Sequence, residues 1–245
     1  MPIACPSLIG SSYPELCAAV DHYCERTSSA FDAEPVNALT NAAFLIGACI
    51  AWRIRSGRRG SEGRLVVALI LTMALVGLGS FLFHTVATRW TEWADVLPIM
   101  LFMLLYLWLV LTTFFDWPPW LKLIVLAMYF AATFYAEASV PASVLWGGAL
   151  YLPTVLLMLV IGASLYVQQM PGAGAFLTAT AVFLISFAAR TLDARVCAAF
   201  PLGTHFLWHL LNAALLFILI RAAIVYSAPA RAARRSRSAA EQLLQ

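Results

Sequence analysis

The stretch LVVALILTMALVGLGSFLFH, residues 65–84, decides the fold because it has 20 residues and contains no Asp, Glu, Lys or Arg. A helix needs about 20 mainly apolar residues to cross the hydrocarbon core of a bilayer. We therefore predict a transmembrane helix over this stretch. Ser80 and His84 lie four residues apart near its end, so a helix presents the hydroxyl and the imidazole on the same face.

Similar apolar stretches fill most of the chain. Of its 245 residues, 62% are hydrophobic and 11% are charged, whereas about 25% of the residues in a soluble domain are charged. We predict an integral membrane protein that folds as an all-α bundle of seven transmembrane helices. The predicted helices cover residues 37–55, 65–87, 95–115, 119–138, 143–167, 174–192 and 202–226.

Two segments of different character flank the predicted membrane domain, residues 37–226. Residues 1–36 contain no basic stretch followed by an apolar one, so we expect no cleavable signal peptide. Residues 227–245 form an Arg-rich tail, which we expect to be disordered and either solvated or in contact with anionic lipid headgroups. Nothing else in the sequence favours a nucleic-acid partner.

The basic residues are unequally divided between the two ends of the predicted helices. Eleven lie at one end and four at the other, and basic residues favour the cytoplasmic side of a membrane. We therefore predict that the N-terminus is outside and that the C-terminus is in the cytoplasm. The cytoplasmic set is Arg53, Arg55, Arg58, Arg59, Arg64, Lys122, Arg221, Arg231, Arg234, Arg235 and Arg237.

Three histidines fall in the outer half of the bundle in this orientation. His205 and His209 lie one helical turn apart, and His84 joins them from another helix. Three neutral imidazoles suit zinc, and a catalytic zinc site usually has three protein ligands and one open position. Two other interpretations of the spacing are hydrogen bonds between helices and a haem held by two histidines.

Ser80 and Asp95 fall in the same half of the bundle and favour a hydrolytic zinc site. Zinc lowers the pKa of a bound water to about 7, and Asp95 is a candidate to take the proton of that water. Ser80 is a candidate hydrogen-bond donor to the water or to the developing oxyanion. The alternatives are that Ser80 only allows close helix packing and that Asp95 only caps a helix.

Acidic residues are concentrated before the first predicted helix. Four of them lie within the 14 residues from Asp21 to Glu34, and Asn37 and Asn41 continue from Glu34 along one helical face. Grouped oxygen ligands suit calcium, although acidic residues also favour the positive N-terminal end of a helix. The candidate calcium ligands are Asp21, Glu25 and Glu34.

Four of the five cysteines lie outside the predicted helices. Cys49 lies within a predicted helix, and the other four lie on the outer side, where disulfides form. A bond between Cys24 and Cys197 would tie the acidic segment to the loop before the seventh helix, and Cys5 could pair with Cys17. No CxxC motif is present, so we expect no thiolate ligand to the metal.

Several motifs together resemble the alkaline ceramidases, seven-helix intramembrane amidases in a superfamily that includes the adiponectin and progestin receptors. The resemblance extends over residues 20–225, with the motifs in the expected order. The motifs are Tyr23-Cys24-Glu25, Glu34-Pro-Val-Asn37-Ala-Leu-Thr-Asn41, Ser80-Phe-Leu-Phe-His84, Asp95 and Gly203-Thr-His205-Phe-Leu-Trp-His209.

The resemblance implies a set of site residues. It implies zinc at His84, His205 and His209, with Ser80 and Asp95 at the reactive water. It also implies calcium at Glu25 and Glu34 and a bond between Cys24 and Cys197. Asp21 lies farther from the aromatic-Cys-Glu motif than the acidic residue of the family does, and Thr27 stands where the family has an asparagine ligand.

The expected function is therefore a zinc-dependent intramembrane hydrolase. It would cleave the N-acyl amide bond of ceramide or a similar lipid to a sphingoid base and a fatty acid. The alternatives are a receptor or lipid sensor with a structural or weakly hydrolytic zinc site, and a hydrolase of another acyl lipid. The Arg-rich, nearly Lys-free composition is typical of a GC-rich genome but does not identify the organism. We expect a bacterial inner membrane with the site in the periplasmic half.

Overall fold

Seven long apolar helices make up most of the computed structural model, which describes residues 5–55, 61–145 and 147–243. Each is long and apolar enough to cross a membrane, and the predicted all-α bundle of seven long apolar helices is confirmed. The spans are Pro35–Ile54, Gly63–Val86, Arg89–Thr113, Pro119–Ser139, Ala149–Val167, Ala173–Val196 and His205–Ser236.

Over the described residues we number ten α-helices in chain order. Two of them, α2 and α3, together form the first span, and α1 and α7 are short helices outside the spans. The helices are α1 (Ser7–Ser12), α2 (Pro35–Thr40), α3 (Ala42–Ile54), α4 (Ser61–Val86), α5 (Arg89–Thr113), α6 (Pro119–Ser139), α7 (Ala142–Leu145), α8 (Leu152–Val167), α9 (Ala173–Val196) and α10 (His205–Leu243).

The pairs α4–α5 and α9–α10 have the most extensive contacts, and α3 packs against both α4 and α10. Helix α8 lies beside α9, and α6 closes the side of the bundle between α5 and α8. The ligand-bearing helices α4 and α10 therefore meet directly and share α3 as a neighbour. The loop predicted at residues 56–60, with Arg58 and Arg59, lies outside the described residues.

Helix α5 begins six residues earlier than predicted. The Thr91 hydroxyl accepts a hydrogen bond from the Thr88 backbone N–H at 2.9 Å, which satisfies a donor at the helix start. Ala87, in the connection before it, adopts a positive φ of 48°, so α4 and α5 are joined by a very short turn. As a result Asp95 lies in the second turn of α5.

Helix α8 begins later than the predicted start at residue 143. A 3₁₀ turn over Ala149–Tyr151 precedes it, and Pro153 occupies its first turn. Proline is tolerated there because its missing N–H would have no partner within the helix. The residues before the turn form the short α7 and a connection instead of a transmembrane helix.

The C-terminal segment also differs from the prediction. Helix α10 continues to Leu243, so the tail that we expected to be disordered is helical as far as the structure describes it. Arg234 pairs with Asp116 at 3.1 Å and donates a hydrogen bond to the Thr113 carbonyl at 3.2 Å. These contacts hold the segment against the end of α5, which composition alone did not indicate.

The N-terminal segment docks over one end of the bundle. The Val20 N–H donates to the Ala87 carbonyl at 2.9 Å, and the Arg89 N–H donates to the Ala18 carbonyl at 3.0 Å. Cys24 is bonded to Cys197, just beyond α9, and Cys5 is bonded to Cys17. The segment is therefore held to both the α4–α5 turn and the α9–α10 connection.

Candidate metal centre

Three histidines meet where the N-terminal segment covers the bundle. His84 lies in the last turn of α4, and His205 and His209 lie in the first two turns of α10. All three are buried, with at most 2% of each residue exposed. One ring nitrogen of each lies within 4.8 Å of the others, so the structure brings together the three ligands predicted from the sequence.

Hydrogen bonds at Nδ1 fix the orientation of two of these rings, those of His84 and His209. His84 Nδ1 lies 2.5 Å from Glu34 Oε2, and His209 Nδ1 lies 3.0 Å from the Thr40 hydroxyl oxygen. The Thr40 hydroxyl donates its own proton to the Val36 carbonyl at 2.8 Å. We therefore assign a proton to each Nδ1, which leaves the Nε2 lone pairs of His84 and His209 for a ligand.

Each of the three histidines has one ring nitrogen without a hydrogen-bond partner among the described residues, and such an atom suits a metal. His84 Nε2, His205 Nδ1 and His209 Nε2 are buried and have no hydrogen-bond partner among the described residues. Leaving buried polar atoms unpaired is costly, and such atoms point to an unseen partner. Three converging neutral imidazoles match a zinc site with one open position, and Glu34 and Thr40 are the kind of outer partner that metal-bound histidines have.

Asp193 positions the start of the helix that carries two of the ligands. Its Oδ1 accepts the backbone N–H groups of Thr204 at 2.6 Å and His205 at 2.9 Å. Its Oδ2 accepts the Cys24 N–H at 3.0 Å. Gly203, with a φ of 68°, lies so close that an added Cβ would overlap the Asp193 carboxylate. Asp193 thus caps α10 and joins it to the N-terminal segment.

Ser80 and Asp95 lie beside the histidines. The Ser80 and Asp95 side chains lie close to each other, and both residues line one cavity with His209. Helices α4 and α5 come close enough for this contact because Gly79 lies against the Ala94 backbone, where an added Cβ would overlap the carbonyl oxygen. A hydroxyl and a carboxylate therefore share the cavity with one of the three histidines.

The cavity is otherwise almost entirely apolar. It extends from Ser80 and Asp95 between the helices to Val110 and Leu219. A helix rises about 1.5 Å per residue, so the lining of α5 from Asp95 to Val110 extends over about 22 Å. A long cavity with polar groups at one end suits a molecule with a polar head and a long apolar tail. Its apolar lining includes Phe102, Tyr106, Ile161, Phe176 and Leu216.

Tyr23 covers the histidines from the N-terminal segment. Its ring stacks on His205, with the ring centroids 3.6 Å apart and the planes at 17°. Arg190 hydrogen-bonds the Tyr23 side chain, and burial raises the pKa of the Tyr23 phenol well above its usual value. Tyr23 is therefore a neutral aromatic cover over one ligand.

The predicted calcium ligands are engaged in other contacts. Glu25 accepts the backbone N–H groups of Val36 at 2.7 Å and Asn37 at 2.8 Å, one on each carboxylate oxygen. Glu34 pairs with Arg26 through Oε1 and with His84 through Oε2. Asp21 is exposed. Within the described ranges, acidic side chains do not form a second group of three close enough to share an ion, so calcium stays a prediction.

The charge of Glu34 is stabilised by its neighbours. Burial would raise the pKa of this carboxyl, but hydrogen bonds from His84 and Asn37 and the charge of Arg26 together hold the pKa below its ordinary value. Glu34 is thus an ionised acceptor for the His84 N–H.

Sequence reasoning missed four residues of this centre: Tyr23, Arg26, Thr40 and Asp193. Their contacts join positions far apart in the chain, such as Thr40 with His209, which are 169 residues apart. A partial signal existed for two of them. Tyr23 belongs to the quoted aromatic-Cys-Glu motif, and Asp193 is an acidic residue in the last turn of the otherwise largely apolar α9.

Comparison with known proteins identifies a family for nearly the whole chain. The family model described as Ceramidase matches residues 18–241. The match includes all three histidines, Ser80 and Asp95. No curated protein matches the chain.

Proposed function

Since the chain belongs to the Ceramidase family over residues 18–241, we propose that it is a zinc-dependent membrane amidase with its reaction centre at His84, His205 and His209. Membership of this family implies hydrolysis of the amide bond of ceramide to a sphingoid base and a fatty acid. One observation carries the assignment to this site. Three buried histidines, each with an unpaired ring nitrogen, cluster beside Ser80 and Asp95 at the polar end of a long apolar cavity.

The chain's own residues have separate tasks in this proposal. When bound, zinc supplies Lewis-acid chemistry, since it polarises a carbonyl oxygen and lowers the pKa of a water. Asp95 accepts the proton of the attacking water on its carboxylate and returns it to the leaving amine. Ser80 lines the same end of the cavity as Asp95, and its single hydroxyl proton is available to the developing oxyanion.

The cavity supplies the positioning. Its apolar lining excludes water from the acyl chain and holds the amide at the polar end, which reduces the entropy cost of bringing the reactants together. The expected substrate is therefore a ceramide-like lipid, with one hydrocarbon chain in the cavity between α5, α8 and α10.

The orientation is part of the proposal. We propose that the metal centre faces the extracytoplasmic side, with the C-terminus in the cytoplasm. The unequal distribution of basic residues supports this orientation. The two disulfides support it as well, because they lie at the metal end and disulfides persist in oxidising compartments. A bacterial inner membrane remains an expectation.

Calcium at Asp21, Glu25 and Glu34 stays a prediction from the family resemblance. The contacts of Glu25 and Glu34 do not favour it, because both carboxylates already have partners on both oxygens. An ion here would need to displace Arg26 or the helix N-terminus that Glu25 caps.

The proposal is tested on the protein purified in detergent. We expect about one zinc ion per chain by elemental analysis, and release of fatty acid and sphingoid base from ceramide within a panel of N-acyl and O-acyl lipids. His205→Ala should lose both the zinc and the activity. A zinc-loaded protein that releases fatty acid from no lipid would instead support the lipid-sensor alternative.

A further inference from the structure

Arg26 forms a closed set of contacts with a proposed metal ligand and with the partner of that ligand. Its Nε donates to Glu34 Oε1, and its Nη2 donates to the His84 carbonyl at 2.9 Å. Glu34 Oε2 in turn contacts His84 Nδ1 at 2.5 Å. The arginine therefore holds the backbone of His84 directly and its imidazole through Glu34.

The backbone contact has a second effect on the helix. His84 lies in the last turn of α4, where the carbonyl groups have no partner within the helix. A cation at a helix C-terminus also interacts favourably with the helix dipole. Arg26 thus caps the helix that carries the ligand, and Nη1 anchors the cap by donating to the Ser28 carbonyl at 3.2 Å.

Burial makes this charge hard to replace. Arg26 is 8% exposed, and Glu34 is 2% exposed. An ionised carboxylate at this depth needs a paired charge, and the guanidinium provides one while it reaches a carbonyl at the same time. A divalent ion on the same Glu34 oxygens would lie against the guanidinium and be repelled by it.

We propose that Arg26 is a built-in cation that positions His84 and that this centre works without bound calcium. The inference rests on the proposed function, because it takes the three histidines as the zinc ligands. It departs from the family resemblance, which implies calcium on Glu25 and Glu34. Arg26 is a positioning residue, since it touches neither the substrate nor the reacting atoms in this assignment.

The first test compares zinc affinity between Arg26→Gln and the wild type, by competition with a chromophoric zinc chelator. Outer partners of metal ligands usually change metal affinity by about 10–100-fold, so we expect Arg26→Gln to bind zinc at least about tenfold more weakly. The matched control is Arg89→Gln, which removes an exposed arginine at the same end of the bundle. It should bind zinc as the wild type does.

The second variant is Arg26→Lys, which tests the positioning role of Arg26 if Arg26→Gln does not fold. Lysine keeps the charge but lacks the planar fork that holds two acceptors at once, so its zinc affinity should also fall below that of the wild type. Wild-type zinc affinity in the folded Arg26→Gln or Arg26→Lys variant would overturn the positioning role. A wild type that binds no zinc would refute the proposed function itself.

The calcium arm uses the wild-type protein, dialysed into calcium-free buffer that contains zinc. We expect elemental analysis to find zinc but no stoichiometric calcium, and an excess of calcium chloride to leave the Tm and the zinc affinity unchanged. Stoichiometric calcium, or a Tm that rises when calcium is added, would overturn the proposal.

Discussion

At the residue scale, a substitution of Asp95 tests the reaction separately from metal binding. Asp95 lines the cavity but is not one of the three clustered histidines. Removing a general acid–base group usually costs about 10²–10⁴-fold in rate. We expect Asp95→Asn to lower kcat by at least about 100-fold while zinc content stays at the wild-type level. Fatty-acid release and elemental analysis on the same preparation measure the two effects.

The matched control for Asp95→Asn is Glu92→Gln, one helical turn earlier in α5. Glu92 pairs with His22 on the surface at 3.0 Å, so its loss should leave the rate within a few-fold of the wild type. An Asp95→Asn variant with wild-type kcat would show that another group moves the proton.

The ligands could be predicted from the sequence because helical spacing alone aligns His205 with His209 and Ser80 with His84. What holds them could not be predicted in this way. The acidic residues around Glu34 favour a calcium ligand, yet the Glu34 oxygens contact Arg26 and His84. Its role depends on how the N-terminal segment folds over α4, and the spacing of residues along the sequence does not predict that contact.

At the scale of elements, the α4–α5 pair depends on Gly79. An added Cβ there would overlap the Ala94 carbonyl oxygen, which belongs to helix backbone and cannot move alone. Overpacking typically costs about 1–3 kcal/mol. We expect Gly79→Ala to lower the free energy of unfolding by about that amount and to lower activity, because Ser80 and Asp95 would separate.

Gly174 offers the matched control, since nothing lies within 4 Å of a Cβ added to it in α9. Alanine is a better helix former than glycine by about 1 kcal/mol, so Gly174→Ala should leave the protein as stable as the wild type or more so. Thermal unfolding in detergent compares the two variants. Equal Tm values would contradict the close packing of α4 on α5.

Helix α10 depends on Asp193 for its first turn. Asp193→Ala removes acceptors from the N–H groups of Thr204, His205 and Cys24. The loss of a helix cap costs about 0.5–2 kcal/mol, and we expect a destabilisation at the upper end together with weaker zinc binding through His205. Asp116→Ala is the control, because its exposed pair with Arg234 should contribute at most about 1 kcal/mol.

The elements themselves could be predicted wherever an apolar stretch of transmembrane length ends in a loop. Their boundaries could not always be predicted. Residues Arg89 and Glu92 made the start of α5 look like a loop, but hydrogen bonds between Thr88 and Thr91 extend the helix over them. The predicted end of α10 was wrong for the same reason. Arg234 contacts Thr113 at the end of α5 and Asp116 just after it, and these contacts hold the helix beyond the predicted end.

At the scale of the whole molecule, the cavity length should set the preferred acyl chain. Val110 lines the end of the cavity far from the histidines and is 1% exposed. We expect Val110→Phe to raise the KM for long-chain ceramides by about tenfold or more while short-chain substrates are little affected, because one buried aromatic ring fills space that only a long chain reaches. Leu101→Phe, on the lipid-facing side of α5 with 45% of the residue exposed, should change neither. An equal loss for all chain lengths would contradict this binding mode.

The bond between Cys24 and Cys197 joins the N-terminal segment to the connection between α9 and α10. Its cysteines are 173 residues apart, compared with 12 for Cys5 and Cys17, and a disulfide that closes a longer loop restricts the unfolded chain more. We expect Cys197→Ser to lower the free energy of unfolding by about 2–4 kcal/mol and to weaken zinc binding, because Tyr23 and Asp193 lose their fixed relation. Cys17→Ser should have the smaller effect on both measurements.

Cys197→Ser also tests the orientation of the protein in the membrane of intact cells. Cys197→Ser frees the Cys24 thiol at the metal end, so a membrane-impermeant maleimide added outside should label it if that end is extracytoplasmic. The wild type, whose Cys24 is bonded, is the control and should stay unlabelled at this position. Labelling of Cys24 only after the membrane is permeabilised would reverse the proposed topology, and the positive-inside distribution would then need another cause.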